Sequence, residues 1–363
     1  MDEERLLLAA ALVVLLEDED SEESDDEEVQ GPPLRPLYPY RRFEWEFDEW
    51  DDDKCLTLTR CNRREIVTLI ELLRIDEIIH SDRRQPSAEF ALCVCLTRLA
   101  YPVRWPLLAD QFGYSPAHCS AVFIDVIEHL STTYTDILNW HPRLTRLRLE
   151  YFACCINGLM DQEVDVVWGF VDGTFKPFRR PIENQRRFYS GHQRAHGMKF
   201  QAVVTPDGLI SSLTRPWQGR TNDWLQWTES VVPVNIRQLN EGRRQLYLYG
   251  NAAYHLRDGI LAPWNRDLAQ RNPALEEFNN RLSSVRIAVE NAFGNVHNQW
   301  TYMAFDSALT LGQQPLGAFY QVAVLMSNLL VCLRGRGQIT GRFMCEPPTA
   351  EQYLLQVADP DDM

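Results

Sequence analysis

The sequence predicts an α/β protein in which a mixed sheet flanked by helices follows a helical region containing a helix-turn-helix outline. Three observations predict it. Between Cys61 and Ile156, apolar residues recur at helical spacing, as in Ile66, Leu69, Ile70 and Leu73 and again in Val122, Val126, Ile127 and Leu130. After Asp161, short β-branched runs separated by turn signals replace that pattern. A long amphipathic segment, 283–297, and an apolar one, 316–333, then follow.

The 363 residues suffice for one large domain or two modest ones, and 45% hydrophobic residues support a substantial core. The formal charge of -15 is unevenly placed: residues 1–53 hold 20 acidic and 4 basic side chains, the remainder 31 and 32. The body is therefore close to neutral and can carry a basic groove. Residues 17–28 (EDEDSEESDDEE) bury too little apolar surface to offset their ordering entropy and are expected to be disordered. The Pro-rich stretch 31–39 extends that linker, and the aromatic, acidic stretch 41–53 is expected to dock back on the body. The apolar run 6–16 is short for a membrane span, and Asp2, Glu3 and Glu4 precede it where a signal peptide carries positive charge. A docking helix on a soluble intracellular protein is the expectation. The nine cysteines include no C-x-x-C pair and no zinc-finger spacing, so they read as buried small hydrophobes in a reducing compartment. The divisions expected are an acidic arm (1–53), a helical region (54–160), a sheet-bearing domain (161–335) and a C-terminal tail (336–363).

Within the helical region, Leu107 to Phe112, a turn at Gly113, and a new helix capped by Ser115 with Pro116 at its first position outline a helix-turn-helix. Either it places a DNA-reading helix near Ser115 or it is an ordinary helical hairpin; the second helix lacks Arg and Lys through Leu130. Strands are expected at 164–171, 198–205 and 209–214, with Pro206-Asp207-Gly208 as the turn between the last two. A helix from Asp223, a strand at 245–249 and the helix at 283–297 follow, the last with Val285, Val289, Ala292 and Val296 on its core face. Strand, strand, strand, helix, strand and late helix is the order of the RNase H-like nuclease fold.

Phosphodiester hydrolysis in such folds uses divalent ions held by hard oxygen ligands at strand ends and on a crossing helix. Three places fit. Asp172 closes the first strand in Val171-Asp172-Gly173-Thr174 and is otherwise a turn residue. Glu290 lies off the apolar stripe of its helix near Gly294, which is expected to permit close approach of another element; otherwise it is a solvated helix residue. The strand at 245–249 should deliver a second acid, yet Gly250 is followed by Asn251, an amide that offers a metal its oxygen without charge or simply serves the turn. Asp223 either caps its helix or extends into the site. Directly after Asp172 comes a basic, aromatic loop with Arg179, Arg180, Arg186, Arg187, Tyr189, His192, Arg194 and His196. It suits DNA backbone, against the alternative of a solvated charged loop.

Taken in order, Asp172-Gly173-Thr174, Tyr189-Ser190-Gly191-His192 with Met198-Lys199-Phe200-Gln201, Pro206-Asp207-Gly208, Gly219-Arg220 with Asp223, and Val289-Glu290-Asn291-Ala292-Phe293-Gly294 resemble the PIF/Harbinger family of DDE transposases and the nucleases derived from them. The resemblance runs from Arg98-Leu99-Ala100-Tyr101-Pro102 and Phe112-Gly113-Tyr114-Ser115 to Pro347-Pro348-Thr349. It implies an RNase H-like catalytic domain, Mg2+ or Mn2+, DNA as substrate and strand cleavage and joining. It also implies at least a homodimer, since two ends are joined, and leaves open a separate DNA-binding partner protein; the location expected for a soluble intracellular protein is nuclear or cytoplasmic. Asp172, Asp223 and Glu290 match family acids. Where the family reads Gly-Asp, this chain reads Gly250-Asn251, so an impaired enzyme and a catalytically silent DNA-binding or adaptor protein both remain open.

Overall fold

A computed structural model of the protein describes residues 42–160, 165–257, 259–304, 309–312 and 314–354. The run 6–16, the acidic stretch 17–28 and the linker 31–39 lie outside them.

The helical region forms because each segment carries both an apolar face and its own start signal. Helix α1 (Asp52–Thr59) is capped by Asp51, and α2 (Arg63–Leu73) opens with a reciprocal Asn62/Glu65 capping box and buries Ile66, Leu69 and Leu73. Helix α3 (Ala88–Ala100), capped by Ser87, is buried along nearly its whole length. Helix α4 (Trp105–Phe112) ends at Gly113 in the left-handed region, and α5 (Pro116–Thr133) begins where Ser115 accepts a hydrogen bond from the His118 amide. The turn between them is a helix–Gly–helix corner lying beneath the Phe43 backbone, which leaves no room for a side chain at position 113. Helices α6 (Thr135–Asn139) and α7 (Arg146–Gly158) complete the region. The aromatic stretch ahead of α1 docks: Trp45 and Trp50 are buried against Phe90 and Phe112, with ring centroids 5.4–5.7 Å apart.

The sheet centres on β1 (Val167–Pro177), which pairs antiparallel with β3 (Ala195–Val204) and parallel with β6 (Tyr247–Tyr249). Strand β7 (Ile260–Leu261) extends it, parallel to β6. The far edge of β3 is shared by three short strands, β2 (Tyr189–Ser190), β4 (Ile210–Leu213) and β5 (Trp217–Gln218). The sheet is thus mixed. The extra short strands β2, β5 and β7 carry no hydrophobic alternation of their own, which is why the sequence shows only four strands.

Short helices α8 (Gln185–Phe188), α9 (Asp223–Glu229) and α10 (Val232–Asn240) sit in the connections. After β7 come α11 (Arg266–Arg271) and α12 (Pro273–Gln299), which begins ten residues before the expected start because Pro273 and the Asn272 cap initiate it. Its core face is the expected one: Val285, Val289, Ala292 and Val296 are buried. Helix α13 (Leu316–Arg334) is long and apolar enough to cross a membrane, yet 72% of its most apolar window is buried and it is a core helix. Phe200 of β3 packs at a tilt against Tyr320 of α13, whereas the neighbouring Gln201 bonds the carbonyl of Asp223 in α9. Adjacent strand residues point to opposite faces, so helices cover both sides of the sheet. One continuous core joins the helical region to the sheet.

The stretch after 335, expected as a tail, contains α14 (Gln338–Phe343) and α15 (Ala350–Leu354), whose Ile339, Phe343 and Tyr353 are buried. The apolar spacing of so short a helix is too brief to register in the sequence. Seven of the nine cysteines are buried and all are free; α7 turns Cys154 to solvent and leaves Cys155 half-buried against the core.

Asp207, read from sequence only as a turn residue, is fully buried and ion-paired with Arg143 of the α6–α7 connection. Its other oxygen accepts from Thr205 Oγ1 at 2.5 Å, and Arg143 also reaches Ser211 Oγ at 3.0 Å. The Arg143 amide donates to His141 Nδ1 (3.2 Å), so His141 carries its proton on Nε2 and donates it to the Tyr353 carbonyl at 2.9 Å. The network ties the β3–β4 turn to α7 and α15. Removing one member of a buried pair strands the other, so Asp207→Ala should cost about 3–5 kcal/mol in urea unfolding. A double replacement, Arg143→Met with Asp207→Leu, should recover most of that loss. Burial and the neighbouring Arg143 hold the His141 imidazole down to about 3. Its unfolded pKa is higher, so the stability it contributes is complete above about 6.5 and is lost as pH falls toward 3, at up to about 1.4 kcal/mol per pH unit. Unfolding midpoints across that window should be flatter in His141→Asn.

Candidate active site

Asp172 is not at a strand end, because the antiparallel β1–β3 ladder continues five residues further, to Pro177 paired with Gly197. What ends near it is the parallel ladder, whose last pair is Phe170 with Tyr249. The chain of β6 turns away at Gly250 and leaves Asp172 facing the rim. Gly250 has no space for a side chain because Tyr254 packs on it, and that packing folds the Asn251–Tyr254 turn back over β1.

The Asp172 carboxylate is 16% exposed and held by three donors. Its Oδ1 accepts from the Gly173 amide (2.8 Å) and from Asn251 Nδ2 (2.9 Å), and its Oδ2 accepts from Arg286 Nη1 at 2.5 Å. Burial pushes its pKa up, Arg286 and the Gly173 amide pull it down, and Asp223 pushes it up again; the balance lies above the ordinary aspartate value. Arg286 continues to Glu290, one helical turn along α12, at 2.9 Å. Asp172, Asn251 and Glu290 therefore meet in one network with Arg286 at its middle. The sequence signal for Arg286 was its position four residues before Glu290.

Glu290 itself is 57% exposed, and Gly294 provides no close approach: nothing lies within 4 Å of where its side chain would begin. The guanidinium bridge, and not a glycine contact, brings Glu290 to the rim.

Asp223 does not cap α9. Asn222 does, accepting from the Leu225 amide at 2.7 Å, which leaves the Asp223 carboxylate free to face the sheet. Lys199 Nζ holds it at 3.3 Å, and its main-chain oxygen accepts from Gln201 Nε2 at 3.0 Å. Lys199 and Gln201 pair in register with Phe175 and Gly173, so this carboxylate meets β1 on the face opposite to the Asp172 side chain. Gly173 makes that approach possible, since a Cβ there would sit 3.0 Å from Asp223 Oδ1.

The Asp172 face of β1 continues to Lys176, which is buried beneath the Tyr320 ring (4.5 Å) and lies 3.4 Å from His297 Nδ1. Burial brings its ammonium down to about 8, and the same burial, with Lys176 itself, lowers His297. An apolar-flanked lysine gave no signal of this in the sequence.

The chemistry of the donors suits a hard divalent cation, because carboxylate oxygens are the ligands such ions take. Their number and arrangement suit one ion better than two. Among the described residues, no three His, Cys, Asp or Glu side chains converge as they stand. The Asn251 oxygen is turned to its own backbone, accepting from the Ala253 amide at 2.8 Å. On the Asp172 face, Asp172 and Glu290 against Arg286 leave a single net negative charge for the ion to meet, and Asp223 and Lys199 pair with each other on the opposite face.

In the basic loop, Arg186, Tyr189 and His196 are gathered around one hollow, together with Gln185, Gly191 and Arg220. Arg220 was not among the residues singled out as contacting DNA; the tight Gly219 before it, crowded by the Phe188 and Gly197 carbonyls, fixes it beside α8. Arg187 is exposed on α8 and accepts the Arg220 amide through its carbonyl. Arg180 is turned to Gln185 Oε1 (2.7 Å), and the Arg179 amide bonds the Leu309 carbonyl. His192 and Arg194 stand exposed at the β2–β3 tip.

No curated protein and no solved structure matches this chain. A family model described as DDE superfamily endonuclease matches residues 171–328, a stretch that opens one residue before Asp172 and takes in Asp223, Asn251, Arg286 and Glu290. The segment that builds this cluster is therefore similar to the DDE superfamily endonucleases, and the match supports placing it in that superfamily.

Proposed function

We propose that the protein is a metal-dependent DNA endonuclease of the transposase-like kind, RNase H-like in its catalytic region and of PIF/Harbinger type, working with one divalent ion. The observation that carries this reading is the meeting of Asp172, Asn251 and Glu290 through Arg286 where the β1–β6 ladder ends. Asp172 and Glu290 would hold the ion, Mg2+ or Mn2+, with Asn251 as a neutral neighbour, while Asp223 would act on it only as a nearby charge from the other face of β1. Bound there, such an ion supplies Lewis-acid polarisation of the phosphate and a more acidic attacking water.

The chain's own residues have defined work in this reading. The Gly173 amide and Asn251 Nδ2 fix the Asp172 carboxylate in one orientation. Arg286 screens Asp172 from Glu290. The arginines at 179, 180, 186, 187 and 194, with Tyr189, His192 and His196, neutralise and grip the DNA backbone. Residues 161–335 form the nuclease domain and 54–160 the helical region. A homodimer, a separate DNA-binding partner and a nuclear or cytoplasmic site of action accord with a transposase ancestry.

A second reading, a catalytically silent DNA-binding or adaptor protein, is favoured by one observation: Asn251 donates to Asp172 where a second carboxylate would instead add charge for metal. One charge a few ångströms away is worth several kcal/mol at an effective dielectric near 20, and about 1.4 kcal/mol is tenfold in rate. Nicking of supercoiled plasmid in Mn2+ separates the two. Slow nicking by the parent, its loss in Asp172→Ala, and roughly hundredfold faster nicking by Asn251→Asp are expected. Activity confined to Asn251→Asp would establish the silent reading. Parent nicking untouched by Asp172→Ala would place the chemistry elsewhere.

A further inference from the structure

We propose that the hollow between α8, the β2–β3 hairpin and Arg220 binds one unstacked nucleotide of a DNA strand, its base against Tyr189 and its phosphate between Arg186 and Arg220. The proposal rests on the reading of the protein as one that acts on DNA, and adds the form of DNA end it recognises.

The hollow is a shallow, open depression of about 420 Å³, and Gln185, Arg186, Tyr189, Gly191, His196 and Arg220 line it. No carboxylate is among them. Arg186 and Arg220 have no acidic partner among the described residues, unlike Arg143, Arg286 or Arg334, so two guanidinium groups are left to a ligand. Planar guanidinium forks match phosphate oxygens in pairs. Tyr189 is 42% exposed although its neighbour Ser190 is buried, and its ring is braced by His196 at 5.3 Å and 59°. A braced, half-exposed aromatic beside paired cations is the arrangement on which single-stranded bases stack. Backbone contact to a duplex requires neither the ring nor a hollow.

The position suits a strand entering the proposed site. Ala202 faces Asp172 across the β1–β3 ladder, and His196 lies six residues back along β3, about 20 Å at the usual rise per residue. That is about six nucleotide steps of a DNA strand. The hollow is rigid where it needs to be. Gly219 is wedged between the Phe188 and Gly197 carbonyls, and the Arg220 amide is bonded to the Arg187 carbonyl at 3.2 Å. Gly191 leaves its side of the hollow open, with nothing within 4 Å of a side-chain position.

The test uses the full chain and three probes in fluorescence anisotropy: a blunt duplex, the same duplex with a three-nucleotide single-stranded overhang carrying 2-aminopurine, and free dAMP. The overhang duplex should bind about tenfold tighter than the blunt one, with altered 2-aminopurine emission. Tyr189→Ala should bring that ratio to about one, Tyr189→Phe should keep it, and Arg220→Ala should reduce it. Equal affinity of the parent for both duplexes would overturn the pocket while leaving a DNA-cleaving protein. Binding of dAMP as tight as that of the overhang, with no advantage from the attached strand, would overturn the strand assignment in favour of a free nucleotide. Absence of DNA binding altogether would overturn both this inference and the function it rests on.

Discussion

A carboxylate that is mostly out of water must be compensated, and the way Asp172 is compensated organises everything around it. One backbone amide, one side-chain amide and one guanidinium supply three hydrogen bonds to its two oxygens. Burial nevertheless outweighs the guanidinium, so the native state favours the protonated form relative to the unfolded chain. The ionised form is therefore carried at a cost that sets in as pH rises through the ordinary aspartate value and is constant once the native carboxyl has also ionised. Three separate stretches of chain are positioned to meet that cost: the end of β1's parallel pairing, the turn after β6, and the middle of α12.

The scaffold explains how those stretches stay in place. Strand β1 is central, paired on both edges, and covered by helices on both faces, so it has little freedom to shift. Helix α12 is long enough to lay Val285, Val289, Ala292 and Val296 on the core while turning Arg286 and Glu290 to the rim. On the other side, the Arg143–Asp207 pair locks the β3–β4 turn to the helical region and to α15. Polar groups are thus spread along the β1–β3 ladder: a rigid internal anchor beyond its Val204 end, the solvent-facing Asp172 cluster two pairs in, and the basic hairpin at the far end.

Much of this was legible in the sequence where periodicity or spacing is long enough to speak. The strands at 167, 195, 210 and 247, the core face of α12, and the Gly113–Ser115–Pro116 helix boundary are carried by local patterns. Asp172 and Asn251 also stood out, as polar residues where apolar strands were expected to end, and Glu290 as an acid off the apolar stripe of its helix. What was illegible depends on contacts between distant residues. The continuation of β1 past Asp172 is dictated by its pairing with β3, and the capping role of Asn222 in place of Asp223 by which neighbour reaches the Leu225 amide. The buried pairing of Asp207 and the placement of Arg220 arise from tertiary packing that no local window contains.

In the proposed function, Asn251 leaves the Asp172 cluster with charge for one divalent ion. Calorimetric titration of the full chain with Mn2+, counting only the ions lost on Asp172→Ala so that the acidic arm is discounted, tests this directly. One such ion per parent chain and two per Asn251→Asp chain are expected. Two ions of comparable affinity in the parent, or none in either form, would contradict it.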